Sequence, residues 1–465
     1  MRSGTVITEE KTELEILRRR RWANVGAVYV FLLVLSIIFI GPIVFAAISS
    51  FKDNPLEWPP RITTNQFKFT NWVGAYKLAK AGGGGGFFGE FTPGAVIPFD
   101  ITYSVPKGRQ PVLPEVVVPR RVPGTASAAL AAMNEKFAAD YSQVTGLQEM
   151  NRLVSENGSL LVTYHFKIRH TGEDVINRVP LDITVPDYQS FVKATLDPNR
   201  IERLGRVQSW NNITSGVIPY VFYNYSRVFR EQYSRTTGKN KFITWILNSF
   251  YLAFARVLTT LLFAGMAGYA LARLKFCGKN SLFLFLLFSM MIPQQVTFIS
   301  NYLVLRNGVF GISRLFGIPS LLNSYSGLII SGLVSASAVF IMKQFFEGLP
   351  LSLEESARID GANTYQIFFR IFLPLAKPAM GALTILTFQS VWNEFFWPLV
   401  VITAPEDKFT LTVGLLSMRR MYAAGGFDWG IILAGTLISA APVFILFVVF
   451  QRYFVEGISF SGEKG

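Results

Sequence analysis

The chain has 465 residues, of which 51% are hydrophobic and only 16% charged, against about 25% charged in an ordinary soluble domain. That balance argues against a soluble enzyme and against a disordered chain. One cysteine, Cys277, and two histidines, His165 and His170, leave no disulfide framework and little material for a metal cluster or a Ser/His/Asp triad.

Residues 1–23 read as a cytoplasmic tail ending near Arg18–Arg21, and residues 24–48 as the first membrane span. The apolar run is longer than the roughly 7–15-residue core of a signal peptide, so it is expected to be an uncleaved anchor. Residues 49–241 are then extracytoplasmic. Within them a small α/β domain is expected over about 87–211. Strands are expected at Phe99–Val105, Glu115–Val118, Ser159–Ile168 and Val179–Val185, with helix over Thr125–Glu156. The glycine run Ala81–Gly86 lacks the pattern of a phosphate loop and is read as a flexible hinge. Asn71–Tyr76 and Asn224–Phe229 share one spacing, Asn–aromatic–x–x–apolar–aromatic, and read as short amphipathic elements at the outer headgroup level.

Apolar runs return at Phe242–Leu274, Ser281–Leu303, Ser326–Phe345, Pro378–Ile402 and Trp429–Phe450, giving a five-helix core over 242–450 and a cytoplasmic tail over 451–465. The expected fold is thus an α-helical polytopic membrane protein with six transmembrane helices. Both termini are cytoplasmic, and the α/β domain is inserted between spans one and two. The net charge of +14 falls on both sides of the membrane, which supports lipid contact and gives no case for nucleic acid.

The segment 351–376, between the fourth and fifth spans, reads as helix–turn–helix. Ser352 is expected to cap a helix with Glu354 and Glu355 in its first turn, Gly361 to break it, and Asn363 or Thr364 to cap a second helix, Tyr365–Phe372, ended by Pro374. A helix this short and apolar needs a partner surface.

The spacing Glu355-Ser356-Ala357-x3-Gly361-x9-Ile371-x-Leu373-Pro374 resembles the EAA motif of ATP-binding-cassette importer permeases, with Ser356 replacing an alanine. The resemblance extends to Ser50–Pro60, Asn248-Ser249, Ala267–Lys279, Met291-Ile292-Pro293, Trp392–Leu399 and the tail Val455–Gly465. Together these resemble the carbohydrate-uptake branch, specifically the maltose-type permease subunit; the large external insertion departs from that pattern.

The resemblance implies a multi-pass protein of the bacterial cytoplasmic (inner) membrane. It implies a second homologous permease, two copies of an ATPase and an external solute-binding protein as partners. It implies no cofactor in this chain, with ATP and Mg bound by the ATPase, and a subunit that is not itself an enzyme. The implied cargo is a sugar such as maltose, maltodextrin or trehalose, moved inward by alternating access; glycerol phosphate or a polyol is the alternative. The residues that would couple to the ATPase are Glu354, Glu355, Ala357, Gly361, Ala362, Phe368, Phe369, Leu373 and Pro374, with Gly462, Lys464 and Gly465 of the tail touching it.

Arg256 and Glu394 are ionisable groups inside expected spans, where charge is costly and faces a cavity or a partner. Either they pair, or they line the pathway with Gln294, Gln295, Trp392 and Asn393, residue types that bind sugar hydroxyls and rings. Interhelical hydrogen bonding is the competing reading. An ion-coupled secondary transporter would leave the 351–376 loop unexplained and would need an inverted repeat, which is not visible.

Overall fold

The computed structural model describes residues 3–52, 64–118, 138–198, 207–234, 237–424 and 429–459. It contains two compact units, Met1–Asn224 with Gly425–Ala434, and Tyr225–Ala424 with Gly435–Gly465.

In the first unit, helix α1 (Ser3–Ser50) contains the expected span, which meets the requirements for crossing a membrane over Asn24–Ser50. Its large apolar side chains are uncovered all round, Phe31 at 63% and Phe39 at 68% exposure, the pattern of a helix whose solvent is lipid. Its C-terminal carbonyls would be orphaned. Buried Asn224 supplies the missing donors, its Nδ2 donating to the carbonyls of Ser50 (2.8 Å) and Lys52 (2.9 Å). Asn71, at the matching position of the other short element, donates to the Asn65 carbonyl and the Tyr220 hydroxyl, each at 2.9 Å. Both asparagines therefore act as buried staples.

Helix α2 (Phe69–Ala81) leads into strands β1 (Val96–Val105), β2 (Glu115–Val117), β3 (Ser142–Val154), β4 (Leu160–His170), β5 (Arg178–Val185), β6 (Ser190–Ala194) and β7 (Val207–Thr214). They form two antiparallel sheets, ordered β3-β4-β1-β6 and β2-β5-β7. Period-two alternation buries Phe99, Ile101 and Tyr103 of β1, Tyr164 and Phe166 of β4, and Leu181 and Ile183 of β5 in one core.

The expected α/β character is corrected. Residues 142–154 are strand, not helix, because pairing along β4 outweighs their weak local preference. Residues 125–137 of the expected helical stretch lie outside the described residues. Within the expected helical stretch only the short turn Ala138–Tyr141 is helical among the described residues; the other helices on this sheet domain come from its flanks, α2 and α3 (Val217–Val221), and the second sheet extends past residue 211 to Thr214. The glycine run is not a hinge either. A Cβ on Gly86 would sit 2.0 Å from the Tyr76 ring and one on Gly84 2.8 Å from the Glu90 nitrogen, so the glycines are there for close packing.

The remaining helices are α4 (Tyr223–Arg230), α5 (Lys241–Arg273), α6 (Lys279–Met291), α7 (Gln294–Arg306), α8 (Tyr325–Ile330), α9 (Ala336–Glu347), α10 (Ser352–Ile359), α11 (Thr364–Ile367), α12 (Lys377–Trp392), α13 (Phe396–Val401), α14 (Leu411–Ala424) and α15 (Trp429–Ser459); α5 to α14 lie wholly in the second unit. Among the described residues three helices, 24–50, 241–273 and 429–450, are long and apolar enough to span singly, or up to five spans exist if each bent pair is one.

The expected third, fourth and fifth spans are not single helices. The third breaks at Ile292-Pro293 between α6 and α7, where Pro293 cannot continue the hydrogen-bond ladder and holds Ile292 in extended backbone. The fourth opens at Ser331–Ser335 between α8 and α9. The fifth opens at Asn393–Phe395 between α12 and α13.

Several residues of the family-like segments have plain structural work. Asn248 donates to the carbonyls of Asp407 (2.8 Å) and Phe409 (3.0 Å), and the Ser249 hydroxyl accepts from the Leu411 N–H at the start of α14. Lys279 donates to the Ala272 and Leu274 carbonyls at the end of α5. On the neighbouring loop Glu406 is partly desolvated, but its bonds from Lys241 (2.8 Å) and Ser417 hold its carboxyl below the ordinary glutamate range.

Candidate functional site: the 351–376 loop and the broken spans

The loop begins with α10, whose first turn carries Glu354 and Glu355. Ser352 is its first residue rather than its cap; the cap position is Leu351, with no side-chain bond. Glu354 is buried and bonded to Arg358 one turn on, at 2.8 Å, a contact that raises the Arg358 pKa. Glu355 is exposed.

The helix ends in a two-bond left-handed closure. The Gly361 N–H donates to Arg358 (3.1 Å), the Ala362 N–H donates to Ala357 (2.9 Å), and Gly361 has φ +78°. Asn363 then caps α11 in a reciprocal capping box with Gln366, both bonds at 2.9 Å. We expect Asn363→Ala to cost about 1 kcal/mol locally, read as roughly fivefold faster amide exchange over residues 364–367.

Beyond α11 the chain widens into a π-helical turn, Phe368–Phe372, before a last turn at Leu373–Leu375. The expected helix end at Pro374 is therefore displaced. The wider turn accommodates the proline, whose ring would clash with the carbonyl four residues back in a regular helix.

One face of this loop is core. Ala357, Ile367, Phe368 and Phe372 are buried with Ala264 and Tyr269 of α5 and Met342 and Phe346 of α9. Tyr269 meets Phe368 and Phe372 at 5.2 Å each and Phe346 at 5.9 Å. Arg273, at the end of α5, lies over the Phe372 ring at 5.1 Å and donates to the carbonyls of Phe346 and Leu349. Sequence reasoning missed Tyr269, Arg273 and Phe346 as the support of the loop; the signal for the first two is the aromatic-and-arginine spacing at the end of α5.

The other face is uncovered. Ile359 is 86% exposed, Tyr365 72%, Leu351 57% and Phe369 47%. The three phenylalanines thus divide, Phe368 and Phe372 inward and Phe369 outward. Ala362 and Leu373 are half-buried and Pro374 is exposed.

The expected pathway residues scatter. Asn393 joins Gln389, one turn earlier on α12, in a cleft of about 410 Å³ lined otherwise by apolar residues including Ile385, Val443, Phe444 and Phe447. Gln389 was not foreseen. Trp392 is buried: it stacks on Phe388 at 5.5 Å, and its N–H donates to the Ser439 carbonyl at 3.0 Å. Gln295 is exposed in the first turn of α7, which Gln294 opens.

Glu394 sits in the break between α12 and α13. Arg256 of α5 lies within electrostatic reach of Glu394 but directs its guanidinium elsewhere. It donates to the Leu328 carbonyl at 2.9 Å and rests on Gly332, where a Cβ would sit 2.0 Å from its Cζ. It thereby closes the end of α8 at the break in the fourth span. Trp397 holds the same turn through Ser331, at 2.7 Å. Gly462, Lys464 and Gly465 lie outside the described residues.

Residues 261–459 match the family described as binding-protein-dependent transport system inner membrane component. The chain is 39% identical over 222 residues to the arabinooligosaccharides transport system permease protein AraQ of Halalkalibacterium halodurans, covering 48% of this chain and 74% of that protein. It is 30% identical over 294 residues to the sn-glycerol-3-phosphate transport system permease protein UgpE of Yersinia pestis, covering 62% and 96%. A crystal structure of a bacterial ABC transporter involved in the import of the acidic polysaccharide alginate matches at 28% identity and a TM-score of 0.42, covering 50% of this chain and 79% of that one.

The resemblance read from the loop is therefore borne out: the chain belongs to the binding-protein-dependent transport system inner membrane components, and is a permease subunit of an ATP-binding-cassette transporter of the carbohydrate-uptake branch rather than an enzyme.

Proposed function

We propose that this chain is one of two homologous permease subunits of an importer in the bacterial cytoplasmic membrane. It carries a sugar, an oligosaccharide by preference, inward by alternating access. Two copies of a partner ATPase bind ATP and Mg and hydrolyse the nucleotide, and an external binding protein delivers the solute.

The observation that carries this reading is the two-faced loop 351–376. Its inner face is fused to α5 and α9, while its outer face presents Leu351, Ile359, Tyr365 and Phe369 without cover. An apolar, well-capped projection of that kind suits a groove on a moving partner, and its anchorage on two long helices lets movement of the partner reach the membrane. The tail residues Gly462, Lys464 and Gly465 are proposed to touch the same ATPase. Six spans follow if the bent pair α6–α7 and the broken pairs α8–α9 and α12–α13 each cross once, with both termini in the cytoplasm.

Gln389 and Asn393 in their apolar cleft, with Arg256 and Glu394 at the span breaks, are the proposed polar lining of the pathway. Irregular backbone at membrane depth belongs where it is covered by protein or faces a cavity. Glycerol phosphate is the second reading, favoured by the UgpE relative and by the cation Arg256. The solute that copurifies with the cognate binding protein decides between them.

Uptake in reconstituted vesicles is expected only with the ATPase present, and to stop when hydrolysis is blocked. Uptake by this chain alone on an ion gradient would overturn the proposal. The inserted sheet domain is proposed to dock the binding protein. Deleting residues 87–211 is expected to lower binding-protein-stimulated ATPase activity severalfold, and unchanged stimulation refutes that role.

A further inference from the structure

We propose that α2 and the turn after it form a membrane-surface foot, lying on the outer headgroup layer beside the first span. The proposal rests on the reading of α1 as that span.

Helix α2 buries Asn71, Gly74, Ala75, Leu78 and Ala79 against the sheet domain. The opposite stripe, at helical spacing, is Phe69, Val73, Tyr76 and Lys80. Phe69 is 73% exposed there. Phe87 packs edge-on against Tyr76 at 5.6 Å and, with Phe88, extends the stripe; the two are 60% and 75% exposed. Lys80 stands over the Tyr76 ring at 5.1 Å, and Lys77 is exposed beside it. Aromatic residues mixed with lysines on one flat strip match the headgroup boundary, where rings reach the acyl edge and ammonium groups meet phosphates.

What covers this strip follows from its continuity with the end of the span. Phe51 comes one residue after the last residue of α1. Its ring meets Phe67 at 5.0 Å and Phe222 at 5.7 Å. Phe67 lies just before α2. Phe222 follows α3, on which Ile218 donates its N–H to the Phe87 carbonyl at 3.0 Å. Both ends of α2, about 20 Å apart by helical rise, are therefore tied back to the residue where α1 leaves the membrane. From half-buried Phe51 the ring contacts pass to exposed Phe67 and Phe222, and the backbone bond from Ile218 holds the turn at Phe87, whose ring meets Tyr76 on the stripe that begins at Phe69. A helix held so at both ends lies along the bilayer surface.

The test uses the full-length chain, with Cys277→Ser, assembled with its partner subunits in vesicles of phosphatidylethanolamine and phosphatidylglycerol. Nitroxides are placed at Phe69→Cys, Val73→Cys and Phe88→Cys. Met150→Cys on exposed β3 serves as a water control and Phe39→Cys within α1 as a lipid control. Collision with oxygen relative to a water-soluble nickel chelate is expected to be severalfold higher at the three foot positions than at 150, and lower than at 39. Nickel access equal to that at 150 would overturn the proposal. So would shielding from both reagents, or nickel access that disappears only when the binding protein is added, since either marks a protein interface. Nickel access at 39 would instead remove the span on which the proposal rests, and the proposal with it.

Discussion

Transport is expected to be lost in Gly361→Asp and in Glu355→Lys, with each protein still reaching the membrane in ordinary amount. Gly361 has φ +78°, and a Cβ built on it meets nothing within 4 Å. The cost of a side chain there is conformational, roughly 1–2 kcal/mol for most residues, and aspartate is among those that tolerate this region. Folding is thus spared. What changes is the chemistry of an exposed tip flanked by Ile359 and Tyr365, which would carry a new charge into an apolar contact.

Glu355 is likewise exposed, so reversing its charge acts on α10 only through the helix dipole, about 0.3–1 kcal/mol. The readouts are membrane abundance, binding-protein-stimulated ATPase activity and uptake. The proposed coupling predicts that abundance holds while uptake falls to background. Normal uptake in both variants would remove the loop from the coupling path.

The second large effect is one of stability, and it discriminates between two glycines three residues apart on α5. At Gly268 a Cβ would stand 2.6 Å from the Met342 Cβ and 2.9 Å from the Lys343 backbone nitrogen. Backbone cannot swing aside, so Gly268→Ala must push α5 and α9 apart, at about 1–3 kcal/mol or more. At Gly265 the nearest atoms are the Phe368 Cζ at 3.7 Å and the Leu373 Cδ1 at 3.8 Å, ordinary contact distances. Gly265→Ala is expected to melt within experimental error of the parent or slightly above it, through gained helix propensity. Gly268→Ala is expected to melt several degrees lower in detergent and to lose ATPase stimulation, because both α9 and the 351–376 loop rest on α5. Equal melting of the two variants would contradict this packing.

Particular residues show where reading along the chain succeeds. The loop motif was legible because each of its devices is local. An acidic first turn, a glycine at the left-handed position and an Asn-x-x-Gln box act within one or two helical turns. The first span was legible for a similar reason, since lipid demands an unbroken apolar run. Strand β3 was misread as helix because its partner β4 is chosen by pairing, which no window along the chain contains. The interrupted spans were misread as continuous because average apolarity over about 20 residues does not register a break at Pro293 or at Ser331–Ser335. Nor does it reveal that Arg256 crosses to Leu328 and Gly332 to close the end of α8.

The amino-acid sequence alone determined that this is a membrane protein with a long apolar helix near its N-terminus, a polar stretch between that helix and the next apolar run, and a loop resembling that of importer permeases. These follow from composition and from interactions between near neighbours. Tertiary structure alone decided which face of the loop is core and which is free, that the glycine run is packed, and that Trp392 is built into the helix packing while Asn393 opens on a cleft. It also decided that the stretch between the first two long apolar helices folds as a pair of antiparallel sheets. Each of these depends on which distant segment arrives at a given side chain, and burial, pairing and cavities exist only once it has arrived.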